Sequence, residues 1–156
     1  MRKTIVIGIG NPDRGDDGAG IQVARSLVGM HPPSIEILEK SGEGAELMEC
    51  WRGVERVILV DAVQAAGKPG AIHRLDPHAD LFPSDFFHYS SHAFSVAEAI
   101  EISRVLGELP PAMLVYGIEG FDFQPGLSLS PAVAAAVELV AEEIRSLLPA
   151  CEIPPE

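Results

Sequence analysis

Apolar runs and helical periods alternate along most of the chain. Short runs that are apolar throughout and rich in β-branched residues predict strands covered on both faces of a sheet. The predicted strands are residues 4–8, 35–38, 56–61, 71–75 and 112–117. The run at 71–75 alternates and follows the turn residues Gly67, Pro69 and Gly70, so it is expected at a sheet edge.

Four helices are predicted between and after these strands. Apolar residues recur with helical spacing at 21–28 and stop before Pro32, and residues 44–51 form a short helix. Ser95 and Glu98 have the spacing of a capping box, which opens a helix to Leu106. Ser130 is the expected N-cap of a last helix, with Pro131 at its first position, that runs to about residue 148.

This alternation predicts an α/β fold: a three-layer αβα sandwich with a mostly parallel five-stranded sheet, in flavodoxin-like or phosphorylase/hydrolase-like order. The strand near 70–75 is placed at an edge. Residues 1–156 contain no internal repeat or linker and are interpreted as a single domain, with a flexible C-terminal tail at about 149–156. In either order, strands 4–8 and 56–61 are expected to be adjacent and parallel.

Composition narrows the function classes. The chain has 156 residues, 47% of them hydrophobic, which is enough to fill a core without disulfides. A formal charge of −12 disfavours nucleic acid and anionic membrane surfaces as partners. Cys50 and Cys151 are too far apart for a CxxC pair, and no apolar run approaches the roughly 20 residues of a membrane helix. We therefore expect a cytoplasmic protein.

A glycine-rich turn follows the first strand at residues 8–20. It resembles a dinucleotide-binding turn only in part, because Asp13 stands where that motif has its third glycine. Asp16 and Asp17 would repel a phosphate, and Pro12 removes a backbone N–H that would bind one. No nucleotide is expected as a cofactor.

Carboxylates at strand exits are suited to holding a metal or a proton. With strands 4–8 and 56–61 adjacent, Asp17 and Asp61 should face one crevice beyond their carboxyl ends. With His92 they would form an N/O ligand set suited to nickel, zinc or manganese. His88 is a reserve ligand, four residues from His92. The alternatives are structural: Asp16 or Asp17 as the N-cap of the next helix, Asp61 as a turn former and His92 as a hydrogen-bonded surface residue.

The motif Gly8-x-Gly10-Asn11-Pro12-x-x-Gly15-Asp16-Asp17-Gly18-x-Gly20 resembles that of the hydrogenase maturation endopeptidases. Val60-Asp61-Ala62, Ser91-His92 and the segment 126–131 extend the resemblance over essentially the whole chain. These enzymes trim the C-terminal extension from the large subunit of nickel-iron hydrogenases. The resemblance implies that Asp17, Asp61 and His92 recognise nickel carried by the large-subunit precursor and take part in catalysis, with Asp16 in reserve.

Conventional protease chemistry has no support in the sequence. There is no Gly-x-Ser-x-Gly elbow and no His-Glu-x-x-His helix, and neither cysteine has a histidine nearby in sequence. Hydrolysis would need either a metal-polarised carbonyl and water or a carboxylate base, for which Asp61 and Asp16 are candidates. The alternative function is a metal-binding assembly factor that docks on a metalloenzyme client without cutting it.

Aromatic residues and histidines outside the motif have either a structural or a functional role. Phe82, Phe86, Phe87 and Tyr89 form an aromatic-rich segment that could plug the core or dock a partner, and docking is the favoured interpretation. His73 and His78 are expected to be solvated.

Overall fold

The computed structural model describes residues 3–29, 34–64, 67–80, 82, 86–87 and 94–148. The predicted tail at 149–156 lies outside them. Within the described ranges the prediction of five strands and four α-helices is confirmed. The elements are β1 Thr4–Ile9, α1 Ala19–Leu27, β2 Ile35–Lys40, α2 Gly44–Trp51, β3 Arg56–Val63, β4 Ile72–Leu75, α3 Val96–Leu106, β5 Ala112–Glu119 and α4 Pro131–Leu147.

The five strands form one sheet in the order β2-β1-β3-β5-β4. β1 pairs in parallel with both β2 and β3, as predicted, and β3 pairs in parallel with β5. A flavodoxin order would place β4 beside β3. Instead β4 lies outside β5 and runs antiparallel to it, because residues 64–71 are too few for the crossover of about a dozen residues that a parallel connection needs.

Helices cover both faces of the sheet, which confirms the three-layer sandwich. α1 and α4 pack on one face, against side chains that include Val6, Ile58 and Ile118. α2 and α3 pack on the other, against Ile7, Leu59 and Val115. The alternation of Ile58 and Leu59 between the two clusters explains why β3 is apolar at nearly every position.

α1 begins in direct contact with the backbone of the sheet. A Cβ added at Gly20 would lie 2.3 Å from the carbonyl oxygen of Val60, and one added at Gly8 would lie 2.3 Å from the carbonyl oxygen of Gly20. Only glycine allows this approach, so the turn between β1 and α1 lies directly above β3.

The aromatic segment contributes to the core. Phe82, Phe86 and Phe87 contact one another with ring centroids 5.1–5.7 Å apart. Phe86 is buried, and Phe82 and Phe87 pack against the cluster beneath α3. The docking interpretation is therefore wrong for Phe86, whose ring belongs to the core, and stays a prediction for the partly buried Phe82 and Phe87. Tyr89 lies outside the described residues.

None of the helices in the described part of the chain is long and apolar enough to cross a membrane.

Candidate active site

The turn between β1 and α1 brings two consecutive aspartates to the carboxyl edge of the sheet. Residues Gly15–Gly18 form a single 3₁₀ turn, and α1 starts directly after it. The N-cap of α1 is Gly18, and no side chain caps the helix. The structural alternative, in which Asp16 or Asp17 serves as this N-cap, is therefore wrong, and both carboxylates have other partners.

The close packing of this turn depends on Gly10. Its φ of 142° is one that side-chain-bearing residues rarely adopt. A Cβ at this position would lie 1.9 Å from the carbonyl oxygen of Asp17. Gly10 therefore lets the backbone of Asp17 fold back onto the end of β1.

The side chain of Asp16 is fully buried and binds the segment that connects β5 to α4. Its Oδ2 accepts hydrogen bonds from the backbone N–H groups of Phe121 (2.7 Å) and Asp122 (2.9 Å) and from the Ser130 hydroxyl (2.7 Å). Its Oδ1 accepts one from the Ser130 N–H at 2.7 Å. Burial alone would raise the pKa of Asp16, but these hydrogen bonds outweigh it and hold the pKa below its usual value.

Ser130 is the N-cap residue of α4, as predicted, but its side chain does not cap the helix. The hydroxyl donates to Asp16 instead. The sequence shows a capping residue at this position and gives no sign that its hydroxyl serves a residue more than a hundred positions earlier.

Asp17 and Asp61 approach each other at this edge of the sheet. Asp61 lies inside β3, where it is in register with Gly117 of β5, and not at the strand end as predicted. Its side chain is buried, and its Oδ1 accepts a hydrogen bond from the N–H of Ala62 at 2.8 Å. The Oδ2 of Asp17 accepts one from the Asn11 N–H at 3.0 Å.

The electrostatics of this pair are unusual for aspartates. Burial raises the pKa of Asp61 well above its usual value, and the negative charge of Asp17 raises it further. The hydrogen bond from Ala62 offsets part of this effect. The pair therefore favours a bound proton or a cation between its carboxylates.

The third predicted ligand cannot be placed. His92 and the reserve ligand His88 both lie outside the described residues. Among the residues that are described, no group of three or more His, Cys, Asp or Glu side chains is arranged to hold a metal ion. The structure thus brings together two of the three predicted site residues, Asp17 and Asp61.

A third buried carboxylate, besides those of Asp16 and Asp61, was not predicted from the sequence. Glu119, the last residue of β5, is fully buried and accepts a hydrogen bond from the Gly67 N–H at 2.9 Å. Its Oε1 lies 2.9 Å from Nε2 of His73 on β4. His73 is therefore paired and not simply solvated, and Nε2 of His78 likewise lies 2.6 Å from the carbonyl oxygen of Pro110. No sequence pattern announces this pair, because the predicted strand ends at residue 117, two positions before Glu119.

Comparison with known proteins gives the family. The model of the HycI hydrogenase maturation protease family matches residues 21–147. The Hydrogenase 2 maturation protease of Escherichia coli K12 is 26% identical over 151 residues, covering 94% of this chain and 90% of that protein. A putative hydrogenase maturation protease of Methanocaldococcus jannaschii is 30% identical over 151 residues, covering 90% of this chain and 96% of that protein.

Solved structures of hydrogenase maturation proteases have the same fold as this chain. The hydrogenase maturating endopeptidase HybD from E. coli superposes with a TM-score of 0.76 at 25% identity, covering 92% of this chain and 90% of that one. HybD from Thermococcus kodakarensis gives a TM-score of 0.71 at 25% identity, covering 96% and 100%. The fold and the matched sequence define a peptidase, and the chain belongs to the hydrogenase maturation protease family.

Proposed function

We propose that this enzyme is the endopeptidase that removes the C-terminal extension from the large-subunit precursor of a nickel-iron hydrogenase after nickel has been inserted. The family supplies the reaction class, since its members are hydrogenase maturation proteases. The nickel in this proposal belongs to the precursor and is part of the substrate. No nucleotide takes part.

The observation that carries the proposal is the approach of Asp17 and Asp61 at the carboxyl edge of the sheet. Burial and mutual repulsion make this pair unfavourable when both carboxylates are ionised, and a divalent cation between them relieves that cost. Carboxylate oxygens fit nickel, and His92 would supply the nitrogen ligand. An incomplete protein ligand set leaves coordination positions for the ligands of the precursor.

The surroundings of Asp16 and Asp61 distinguish these two candidate bases. The pKa of Asp16 is lowered and both of its oxygens already accept hydrogen bonds, so it is a weak base and cannot reach a water molecule. Burial and Asp17 raise the pKa of Asp61, which makes it the better proton acceptor. In our proposal Asp61 takes a proton from the attacking water and passes it to the nitrogen of the departing peptide as the C–N bond breaks, and the nickel of the substrate supplies Lewis acidity at the scissile carbonyl.

The client is the large-subunit precursor in the cytoplasm. The formal charge of −12 supports a protein client over nucleic acid or an anionic membrane.

The mass of nickel-loaded precursor before and after incubation with the enzyme tests the proposal. We expect the precursor to shorten by one C-terminal peptide. Asp61→Asn should abolish the cut, whereas Glu138→Gln, which changes an exposed carboxylate on α4, should leave it intact. Precursor that binds and keeps its full mass would instead indicate a non-proteolytic assembly factor.

A further inference from the structure

The segment 120–130, between β5 and α4, places two exposed apolar side chains at the site edge of the sheet. Phe121 is 71% exposed and Leu127 is 43% exposed. Phe121 directly precedes Asp122, and the N–H groups of both donate to the carboxylate of Asp16. Since Asp16 and Asp17 are consecutive, these bonds fix the backbone of Phe121 beside the turn that carries the proposed catalytic Asp17.

The backbone of this segment is fixed along its length. The N–H of Gly15 donates to the carbonyl of Leu127 at 3.1 Å, and the N–H of Gly126 donates to the carbonyl of Asp13 at 2.8 Å. Together with the bonds to Asp16, these contacts tie the segment to the glycine-rich turn at both ends. An exposed aromatic ring on a fixed backbone loses little conformational entropy on binding, which is the property of an interface anchor.

The charge of the surroundings specifies the chemistry of what binds there. Segment 120–130 contains no lysine or arginine, and residues 10–18 contain only Arg14. Of the four aspartates in these two segments, Asp16 is buried and its charge is taken up by internal hydrogen bonds. Asp13 is exposed and Asp17 and Asp122 are partly exposed, so three accessible carboxylates stand against one exposed cation, Arg14. This surface therefore complements a polypeptide that carries an apolar side chain next to lysine or arginine.

We propose that segment 120–130 is the surface on which the client polypeptide docks, with Phe121 as its anchor and with a client segment that pairs an apolar side chain with Lys or Arg. The proposal rests on the proposed function, because the docked client is the precursor that the site cuts. A second exposed apolar group lies on α3 and consists of Ile102, Val105 and Leu106. Its backbone donates no hydrogen bond to Asp16, so it serves as the control.

Steady-state cleavage of nickel-loaded large-subunit precursor tests this surface. Phe121→Ala should raise KM about tenfold or more, because the variant lacks the ring whose apolar surface the client would bury. The value of kcat should change little. Val105→Ala, which truncates a side chain that is 76% exposed, should leave both constants unchanged. Raising the salt concentration should raise KM for the wild type, as expected when a cationic segment meets an acidic surface.

The outcomes distinguish a failure of the docking surface from a failure of the proposed protease function. If the wild type cuts the precursor and Phe121→Ala cuts it with the same KM, the docking surface is wrong and the proposed function stands. If the wild type does not cut it, calorimetric binding of the same precursor decides: equal binding by wild type and Phe121→Ala, or no binding by either, overturns the docking surface as well. Self-association of the wild type that Phe121→Ala abolishes would assign the surface to a second copy and overturn the client proposal.

Discussion

Asp16 accepts two hydrogen bonds from Ser130, a residue 114 positions further along the chain. One comes from the backbone N–H and one from the hydroxyl, each at 2.7 Å. This contact joins the turn after β1 to the start of α4 and holds the intervening segment beside the site. A buried carboxylate here acts as a structural connector between the two loops that border Asp17.

Asp16→Asn should therefore destabilise the fold. The amide group of asparagine must face at least one of the N–H or O–H donors that now point at a carboxylate, which removes a charge-assisted hydrogen bond and leaves a donor unpaired. We expect the free energy of unfolding to fall by about 2 to 4 kcal/mol in urea titrations. Ser130→Ala, which removes only the hydroxyl, should cost about 1 to 2 kcal/mol.

The effect of Asp16→Asn on the free energy of unfolding should depend on pH. Because the folded-state pKa of Asp16 is lowered, its contribution to stability is present above the unfolded-state pKa of about 3.9 and is lost as pH falls through the folded value. The stability difference between wild type and Asp16→Asn should thus be full at pH 7 and shrink in acid. Ser128→Ala, at an exposed position of the same segment, should stay within about 0.5 kcal/mol of wild type, and a cost equal to that of Ser130→Ala would contradict the assignment.

Asp61→Asn should have opposite effects on stability and activity. Burial and Asp17 raise the pKa of Asp61, so its ionised form is costly in the folded state at neutral pH. Asparagine keeps an oxygen for the Ala62 N–H and removes the charge. We expect thermal unfolding at pH 8 to show a gain of about 1 to 3 kcal/mol, while cleavage is lost.

The gain should depend on pH in the opposite sense from that of Asp16. Wild-type Asp61 costs stability increasingly as pH rises from its unfolded-state pKa of about 3.9 to its raised folded pKa, because over this range the unfolded chain releases a proton that the folded protein keeps. The two proteins should converge below about pH 4, where Asp61 is protonated in both the folded and the unfolded state. Equal stability of wild type and variant at pH 8 would contradict the destabilising effect of an ionised Asp61.

Gly10→Ala should disrupt the site. The new Cβ would lie 1.9 Å from the carbonyl oxygen of Asp17, and φ is 142°. The turn must then move, so we expect loss of cleavage and a loss of stability above about 4 kcal/mol. Gly53→Ala is the matched control, because Gly53 also has a positive φ, of 75°, with no atom within 4 Å of the added Cβ. It should cost only about 1 to 2 kcal/mol and retain activity, as measured by circular dichroism melts and the cleavage assay.

Cleavage should require nickel in the precursor and should fall as pH drops through about 6 to 7. His92 must be neutral to bind the metal, and the unperturbed imidazole titrates in this range. The raised pKa of Asp61 adds to the loss, since its protonation begins above the ordinary aspartate range. His92→Ala should weaken discrimination between nickel-loaded and nickel-free precursor. Equal cutting of both forms by the wild type would remove the metal from the recognition step.

The sequence predicts the architecture well because β1 and β3 are apolar at nearly every position. Such strands are stable only in the middle of a sheet with helices on both faces, so Thr4–Ile9 and Arg56–Val63 were expected in its interior. Their adjacency follows from the doubly wound order, in which the chain reverses direction across the sheet between the first and third strands. The position of β4 is harder to derive, because four residues with an alternating pattern fit either edge of the sheet. The length of the preceding connection, and not the strand itself, decides its direction.

The division of labour between Asp16 and Asp17 could not be read from the sequence. Two adjacent aspartates after a glycine look equivalent, but the 3₁₀ turn gives them different partners. Asp16 binds Ser130, whereas Asp17 accepts a hydrogen bond from Asn11 and its charge acts on the buried Asp61. The partner of Asp16 is remote in sequence, so no local spacing announces it. The approach of Asp17 to Asp61 was predictable, because it needs only the adjacency of β1 and β3.

The absence of side chains at Gly8 and Gly20 affects how the protein opens. Because α1 contacts the backbone of β3 directly, no layer of side chains separates the turn that carries Asp17 from the sheet. The turn therefore cannot move without moving the sheet. Local fluctuations that separate Asp17 from Asp61 must then also disrupt the strand pairing of the core. Amide hydrogen exchange at the start of α1 should consequently be as slow as in β3, with both segments exchanging through the same cooperative unfolding event.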